Sequence, residues 1–348
     1  GIRVVRVWTY MAPNTGVCRR IVDYLSFMVM SAIAAPFLPR PDVIVGTSPQ
    51  FFTLISAWWA SVVKRRPWVL ELRDIWPESI KAVGAGGHSV LFRAVQRVEM
   101  LLYRKATRIV TVTHSFKRVL TDRGVPADKI AVVTNGVDLT RYKPGEKNAE
   151  LLRTFELEGR FVVGYIGTHG MAHGLDTLLD AAEIMSRQQN LQHVAMLFVG
   201  DGAKRVELIA FARQKGLDNV RFVGPVSKEE VATYWSILDL SIIHLRRTEL
   251  FTTTIPSKLF ECMGMGIPVA LGIAGEAREI VEHHDVGLTF LPEDAGELVA
   301  VIERLAQDHR LVERLRANSA AAAPNFNREN LADAMLRELG VAAEQSRS

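Results

Sequence analysis

Phe161-Val162-Val163-Gly164-Tyr165-Ile166-Gly167-Thr168-His169-Gly170-Met171-Ala172-His173-Gly174 passes from an apolar run into a glycine-rich loop, and an amphipathic stretch over 174–188 follows. A short apolar strand, a tight loop and a helix make the repeating unit of a parallel sheet. The loop's glycines let the backbone approach a phosphate closely. No GK[ST] follows, so this is not a Walker A motif, and the GxGxxG dinucleotide pattern is absent too. His169 and His173 stand four residues apart, a spacing that binds zinc on a helix. Here the glycines argue for a loop, and no third ligand is evident.

The same alternation runs outward in both directions. Upstream, strands fit Ile2–Trp8, Asp42–Thr47, Trp68–Leu72, Arg108–Thr113 and Ile130–Thr134, with helices near 17–35, 50–65, 88–105 and 115–123. Downstream, strands fit Val194–Val199, Val220–Val223, Leu240–His244, Pro268–Leu271 and Gly287–Phe290. Helices fit near 203–215, 228–237, 257–264, 275–283 and 294–307. The expected fold is α/β, with two doubly wound Rossmann-like domains whose ligand crevices open at the carboxyl ends of the strands, facing a cleft. Residues 1–140 form the first domain and 141–325 the second. The amphipathic tail 326–348 reads as a helix that packs back on the first.

Composition agrees and narrows the classes. A chain of 348 residues suggests two domains at roughly 150 residues each. With 48% hydrophobic and 23% charged residues it is globular rather than disordered. No apolar run reaches the ~20 residues that a membrane helix needs. Cys18 and Cys262 stand far apart, which argues against a disulfide framework or a cysteine zinc site and for a reducing compartment. Residues 1–140 hold 19 Lys and Arg against 9 Asp and Glu, or +10; residues 141–348 hold 23 against 29, or −6. One half is thus expected to meet something anionic. Nucleic acid is disfavoured, because the basic half shows no aromatic–basic interleaving. Gly1 opens directly on the extended stretch Ile2–Trp8, with no Met and no signal region.

Three stretches carry candidate chemistry. In Ile255-Pro256-Ser257-Lys258-Leu259-Phe260-Glu261-Cys262-Met263-Gly264-Met265-Gly266-Ile267-Pro268-Val269, a polar loop enters a helix whose proline suits the first turn. The helix N-terminus, reinforced by Lys258, fits an anionic diphosphate. Glu261, one turn on, suits sugar hydroxyls. A plain surface Lys–Glu pair is the bland alternative. The glycine-rich loop is the second stretch. The third, Leu70-Glu71-Leu72-Arg73-Asp74-Ile75-Trp76-Pro77-Glu78-Ser79, is the polar end of a buried strand. There Arg73 can pair with phosphate or carboxylate and Asp74 can orient a hydroxyl, or the two can simply pair with each other.

Taken in order, these stretches, together with Asn135-Gly136-Val137-Asp138, Val199-Gly200-Asp201-Gly202 and Phe222-Val223-Gly224, resemble the bacterial family-4 retaining glycosyltransferases of the GT-B fold. The likeness is greatest to the subgroup that builds O-antigen, colanic-acid and capsule polysaccharides. The resemblance implies a nucleotide-diphosphate sugar donor, a UDP-sugar, held by the second domain. Lys258 and Ser257 would meet the diphosphate and Glu261 the ribose. Gly167, Thr168, His169 and Gly170 would approach the phosphates, while Gly224, Pro225 and Val226 flank the base. Arg73 and Asp74 would face the cleft from the acceptor side. It implies retention, transfer of a hexosyl or N-acetylaminodeoxyhexosyl group to a lipid-linked oligosaccharide, and no metal or other cofactor. The leaving diphosphate would take the acceptor proton.

Two departures stand out. Relatives carry an E-x(7)-E pair, but the first position here is Thr253. They also begin with a strand, glycine-rich loop and helix upstream of the position of Gly1, so the first domain is expected to lack that strand and helix here. A GT-B epimerase and a non-catalytic nucleotide binder are the competing functions.

Tyr24–Leu38 is uncharged, rich in Met, Phe, Leu and Ala, flanked by Arg19, Arg20 and Arg40, and interrupted by Pro36. Such a segment is too short to span a bilayer but can lie in its interface through Tyr24, Phe27, Met28 and Phe37, with Lys64-Arg65-Arg66 and Arg104-Lys105 nearby. A buried helix of the first domain is the other reading. The expected location is the inner face of the plasma membrane, held peripherally from the cytoplasm.

Overall fold

The computed structural model describes residues 1–11, 17–75 and 90–345. They fall into two compact units, Gly1–Thr134 with Leu331–Ser348, and Asn135–Asn330. Unit 1 is built on β1 (Ile44–Thr47), β2 (Trp68–Leu72), β3 (Arg108–Thr111) and β4 (Ile130–Val132), parallel and in that spatial order. Its helices include α1 (Val17–Ala34), α2 (Phe51–Lys64), α3 (Val90–Lys105) and α4 (His114–Asp122). A parallel sheet is covered on both faces, so the middles of its central strands are apolar. Leu70 and Ile109 pack under Leu54, Leu102, Phe116 and Leu120. On the other face Val69 and Val110 meet Met335, Leu339 and Ala342 of the C-terminal helix, Arg328–Gln345. Those three residues share one helix face. Arg108 Nε donates to Glu338 of the same helix at 2.9 Å.

Unit 2 carries β5 (Phe161–Ile166), β6 (Val194–Val199), β7 (Val220–Val223), β8 (Leu240–His244), β9 (Val269–Gly272) and β10 (Gly287–Thr289). All are parallel, in the order β10-β9-β8-β5-β6-β7. The period of two sorts their side chains: Val162, Ile166, Leu197 and Val199 enter one apolar layer, Val163, Tyr165, Met196 and Phe198 the other. From β5 the chain winds outward through β6 and β7, then returns to lay β8 on the opposite side of β5. That reversal opens a crevice at the carboxyl ends of β5 and β8, where open α/β sheets hold their ligands.

Some expectations change. Ile2–Trp8, read as a strand, joins no ladder; Ile2 is 95% exposed and residues 1–11 are irregular. Apolar alternation is a local signal, whereas a strand needs a partner, and among the described residues no strand pairs with this stretch. The chain divides after Thr134 rather than at 140, because Val137 is buried and bridges to Asn327 inside unit 2. It re-enters unit 1 at Leu331 rather than at 326. Helices at Ala149–Thr154 and His309–Ala322 were not foreseen. Trp76–Ser79 and positions 88–89 lie outside the described residues.

Candidate functional site

The loop after β5 owes its path to the loop after β6. At Gly200, with φ +137°, a Cβ would lie 2.0 Å from the Gly167 carbonyl oxygen, so only glycine lets the two backbones touch. Gly167 and His169 donate their N–H groups to Val199 and Asp201 (2.9 and 2.8 Å), and Lys204 returns one to the His169 carbonyl (2.9 Å). The next turn, Met171–His173, is clamped from β8. His244 Nδ1 lies 2.7 Å from the His173 carbonyl, and its Nε2 accepts from the Glu293 N–H at 2.9 Å. That pair fixes the neutral tautomer with the proton on Nδ1, in keeping with burial pulling its pKa down. Arg246 adds bonds to Met171, Asp176 and Glu293, all near 2.8–2.9 Å.

Beside this loop stands the helix Lys258–Met265, with Ser257 at its cap position and no side-chain cap on its first N–H groups. The helix begins two residues after Pro256. Lys258 turns its Nζ over the Tyr165 ring, 4.0 Å from the centroid, where a Cβ on Gly167 would come within 2.6 Å of it. Its ammonium is thus held at the glycine loop rather than in a surface bridge to Glu261. Burial pulls the Lys258 pKa down to about 8. Burial also lifts the Glu261 carboxyl above its ordinary range, against the pull of Lys258 and Arg328.

A pocket of about 470 Å³ gathers these groups at the crevice of unit 2. Of the residues named from sequence, Gly167, Thr168, Val226, Ser257, Lys258 and Glu261 line it. Gly170, Gly224 and Pro225 do not. Nor does His169, whose ring turns inward among Tyr165, Phe198 and Phe222, 0% exposed and with neither nitrogen partnered. Burial draws its pKa down to about 4, so it is neutral near pH 7. The buried ring is therefore turned away from the pocket, and the backbone N–H and carbonyl of His169 are already taken by Asp201 and Lys204.

Asp138 and His173, quoted from the sequence but given no place at the donor site, line the pocket too, as do Arg141, Tyr142 and Arg328, which sequence reading missed. Asp138 caps its own turn, accepting from the Thr140 N–H (3.0 Å) and hydroxyl (2.6 Å). Arg328 begins the C-terminal helix and donates its N–H to Val137 at 2.9 Å, which docks the tail at the pocket. Four cations, Arg141, Lys228, Lys258 and Arg328, face two carboxylates, Asp138 and Glu261. The excess of +2, with the uncapped helix end, suits an anion.

Arg73 and Asp74 stand at the carboxyl end of β2 in unit 1. The Ser48 hydroxyl accepts both their N–H groups (2.7 and 3.1 Å), and Arg73 Nε lies 3.8 Å from Glu71. On α1, Tyr24, Phe27 and Met28 are half-buried, while Val22, Val29 and Ile33 are exposed; Phe37, in the 3-10 turn Ala35–Phe37 that follows, is 85% exposed. The helix therefore has both a packed side and an open apolar side. No described helix is long and apolar enough to cross a membrane.

Residues 1–136 match the model of the glycosyl transferase 4-like domain, and residues 160–308 that of the glycosyl transferases group 1. Alpha-D-kanosaminyltransferase of Streptomyces kanamyceticus is 28% identical over 176 residues, 50% of this chain and 44% of that protein. D-inositol 3-phosphate glycosyltransferase of Rhodococcus erythropolis is 27% identical over 253 residues, 70% of this chain and 56% of that one. The chain thus spans about half the length of the curated relatives it matches. Among solved structures, Anabaena HepE in complex with UDP and glucose superposes with a TM-score of 0.74 at 22% identity, covering 94% of this chain and 84% of that one. Sucrose-phosphate synthase from Thermosynechococcus elongatus gives 0.75 at 20% identity, covering 96% and 83%. Two Rossmann-like sheets, a cationic pocket at the second sheet's switch point and matches to both domain models in chain order place this chain in the group 1 and 4-like glycosyltransferases of the GT-B type.

Proposed function

We propose that this chain transfers a hexosyl or N-acetylaminodeoxyhexosyl group from a UDP-sugar to a lipid-linked oligosaccharide, with retention, in cell-surface polysaccharide synthesis. The carrying observation is the pocket of unit 2, where Lys258 meets the Gly167 loop and Glu261 stands one turn along the same helix. UDP occupies the structural neighbour HepE, which supports the choice of nucleotide.

In this reading the diphosphate lies on the uncapped helix end and the Gly167 backbone, with Lys258, Arg141 and Arg328 around it. Glu261 holds the ribose hydroxyls. Breaking the bond from the sugar C1 to the diphosphate oxygen leaves negative charge on that oxygen, and the Lys258 ammonium stabilises it. The acceptor oxygen bonds to C1 on the same face, and its proton passes to the departing diphosphate. Arg73 and Asp74 of unit 1 serve the acceptor. The side chains gathered here do the charge work that a metal does elsewhere, so chelation should leave turnover unchanged. The open apolar side of α1 rests on the inner membrane surface, where a lipid-linked acceptor is found.

A panel of UDP-sugars assayed with and without a polyprenyl-diphosphate oligosaccharide, the anomer of the product read by NMR, tests this directly. Acceptor-dependent transfer with a retained anomer is expected. Transfer with inversion, or nucleotide binding without transfer to any acceptor, contradicts it.

A further inference from the structure

Unit 1 carries a cavity of about 750 Å³ along α3, lined by Arg93, Arg97 and Arg104, with Met100 and Leu101 between them and Arg123 from the end of α4. Positions 93, 97, 100, 101 and 104 follow the helical repeat, so these side chains share one face. The acid in the cavity, Glu99, is 2% exposed and already engaged. One of its oxygens accepts from the Tyr103 hydroxyl at 2.6 Å, and the other lies 3.5 Å from Arg123 Nη1. Among the described residues Arg93, Arg97 and Arg104 have no carboxylate or side-chain hydrogen-bond partner. Four guanidiniums against one carboxylate leave +3 in the cavity.

A solvated helix face is normally laced with opposite charge at i±4, and like charges at that spacing destabilise the helix. Here α3 holds Arg93, Arg97, Arg104 and Lys105 against Glu99 alone. Arg93 and Arg97 stand one turn apart, about 5–6 Å between Cβ atoms. Planar guanidiniums at that separation make paired, charge-assisted bonds to phosphate oxygens. Leu101 and Val98, 41% and 37% exposed, put apolar surface beside them.

We propose that the α3 cavity binds a phosphate-bearing ligand. It shares no residue with the pocket of unit 2, so the inference stands whether or not the transferase reading does. The phosphate belongs either to the headgroup of an anionic lipid or to a soluble phosphorylated molecule, and two arms separate these sources. The full chain is mixed with phosphatidylglycerol or phosphatidylcholine vesicles in one arm and with inorganic pyrophosphate in the other, and hydrogen exchange is followed over residues 93–104. Protection by phosphatidylglycerol alone assigns a lipid headgroup; protection by pyrophosphate assigns a soluble ligand. Either effect should weaken at least tenfold in the triple variant Arg93→Gln, Arg97→Gln, Arg104→Gln. Two results overturn the proposal: no protection of 93–104 in the wild type by either ligand, or a triple variant that binds as the wild type does.

Discussion

At the scale of residues, Lys258 makes the pH dependence predictable. With its pKa drawn down to about 8 by burial, the free pocket loses this charge as pH rises through 8. A bound diphosphate favours the ammonium and raises that pKa. UDP affinity should therefore be level below pH 8 and fall by up to about tenfold per unit above it. Nucleotide titrations from acidic to alkaline pH read this; a flat profile across pH 8 contradicts it. His169 acts on stability instead. Its pKa is about 4 in the fold against 6.5 unfolded, so between those values only the unfolded chain binds the proton. Stability must fall as pH drops through that window. His169→Phe, which removes an unpartnered buried imidazole, should lose less stability between pH 7 and pH 5 than the wild type in thermal melts. His173, also held near 4 by burial, keeps part of the effect. Sequence made Lys258 and Glu261 readable because a proline-led helix start has a local signature. It misplaced His169, since glycines around a residue suggest exposure and say nothing of which way its ring turns. Arg328 was out of reach, because only tertiary folding brings it beside a motif so far upstream.

At the scale of elements, the contact of the two glycine loops is the most exacting feature of unit 2. Ala at position 200 needs a Cβ 2.0 Å from the Gly167 oxygen at φ +137°. Gly200→Ala should cost at least about 1–3 kcal/mol in chemical denaturation and weaken UDP binding as the Gly167 loop moves. A variant as stable as wild type with normal binding refutes the packing described. The buried strands β5, β6 and β8 were legible because a strand covered on both faces is a continuous apolar run bounded by polar turns. Ile2–Trp8 carried a similar local pattern and failed, because pairing is decided by distant residues. His309–Ala322 escaped notice for the opposite reason: its Ala-rich end gives little amphipathic contrast.

At the scale of the whole molecule, the charge is split, +10 over residues 1–140 and −6 over residues 141–348. If α1 rests on a membrane as proposed, each Lys or Arg near that surface contributes about 1 kcal/mol and salt screens it. Co-sedimentation should favour anionic over neutral vesicles at low salt, and Ile33→Ser with Phe37→Ser should reduce it severalfold; equal binding to both vesicle types contradicts the assignment. The donor pocket is the central claim, and it has a sharp test. Steady-state kinetics and UDP titration on Lys258→Ala and Glu261→Ala separate transition-state from ground-state contacts. Lys258→Ala should cut kcat about 10²–10³-fold, more than it weakens donor binding, because in the proposed reaction it faces the charge that grows on the leaving diphosphate. Glu261→Ala should mainly raise the donor Kd. Near-wild-type turnover in Lys258→Ala, with the fold intact by circular dichroism, would contradict the account.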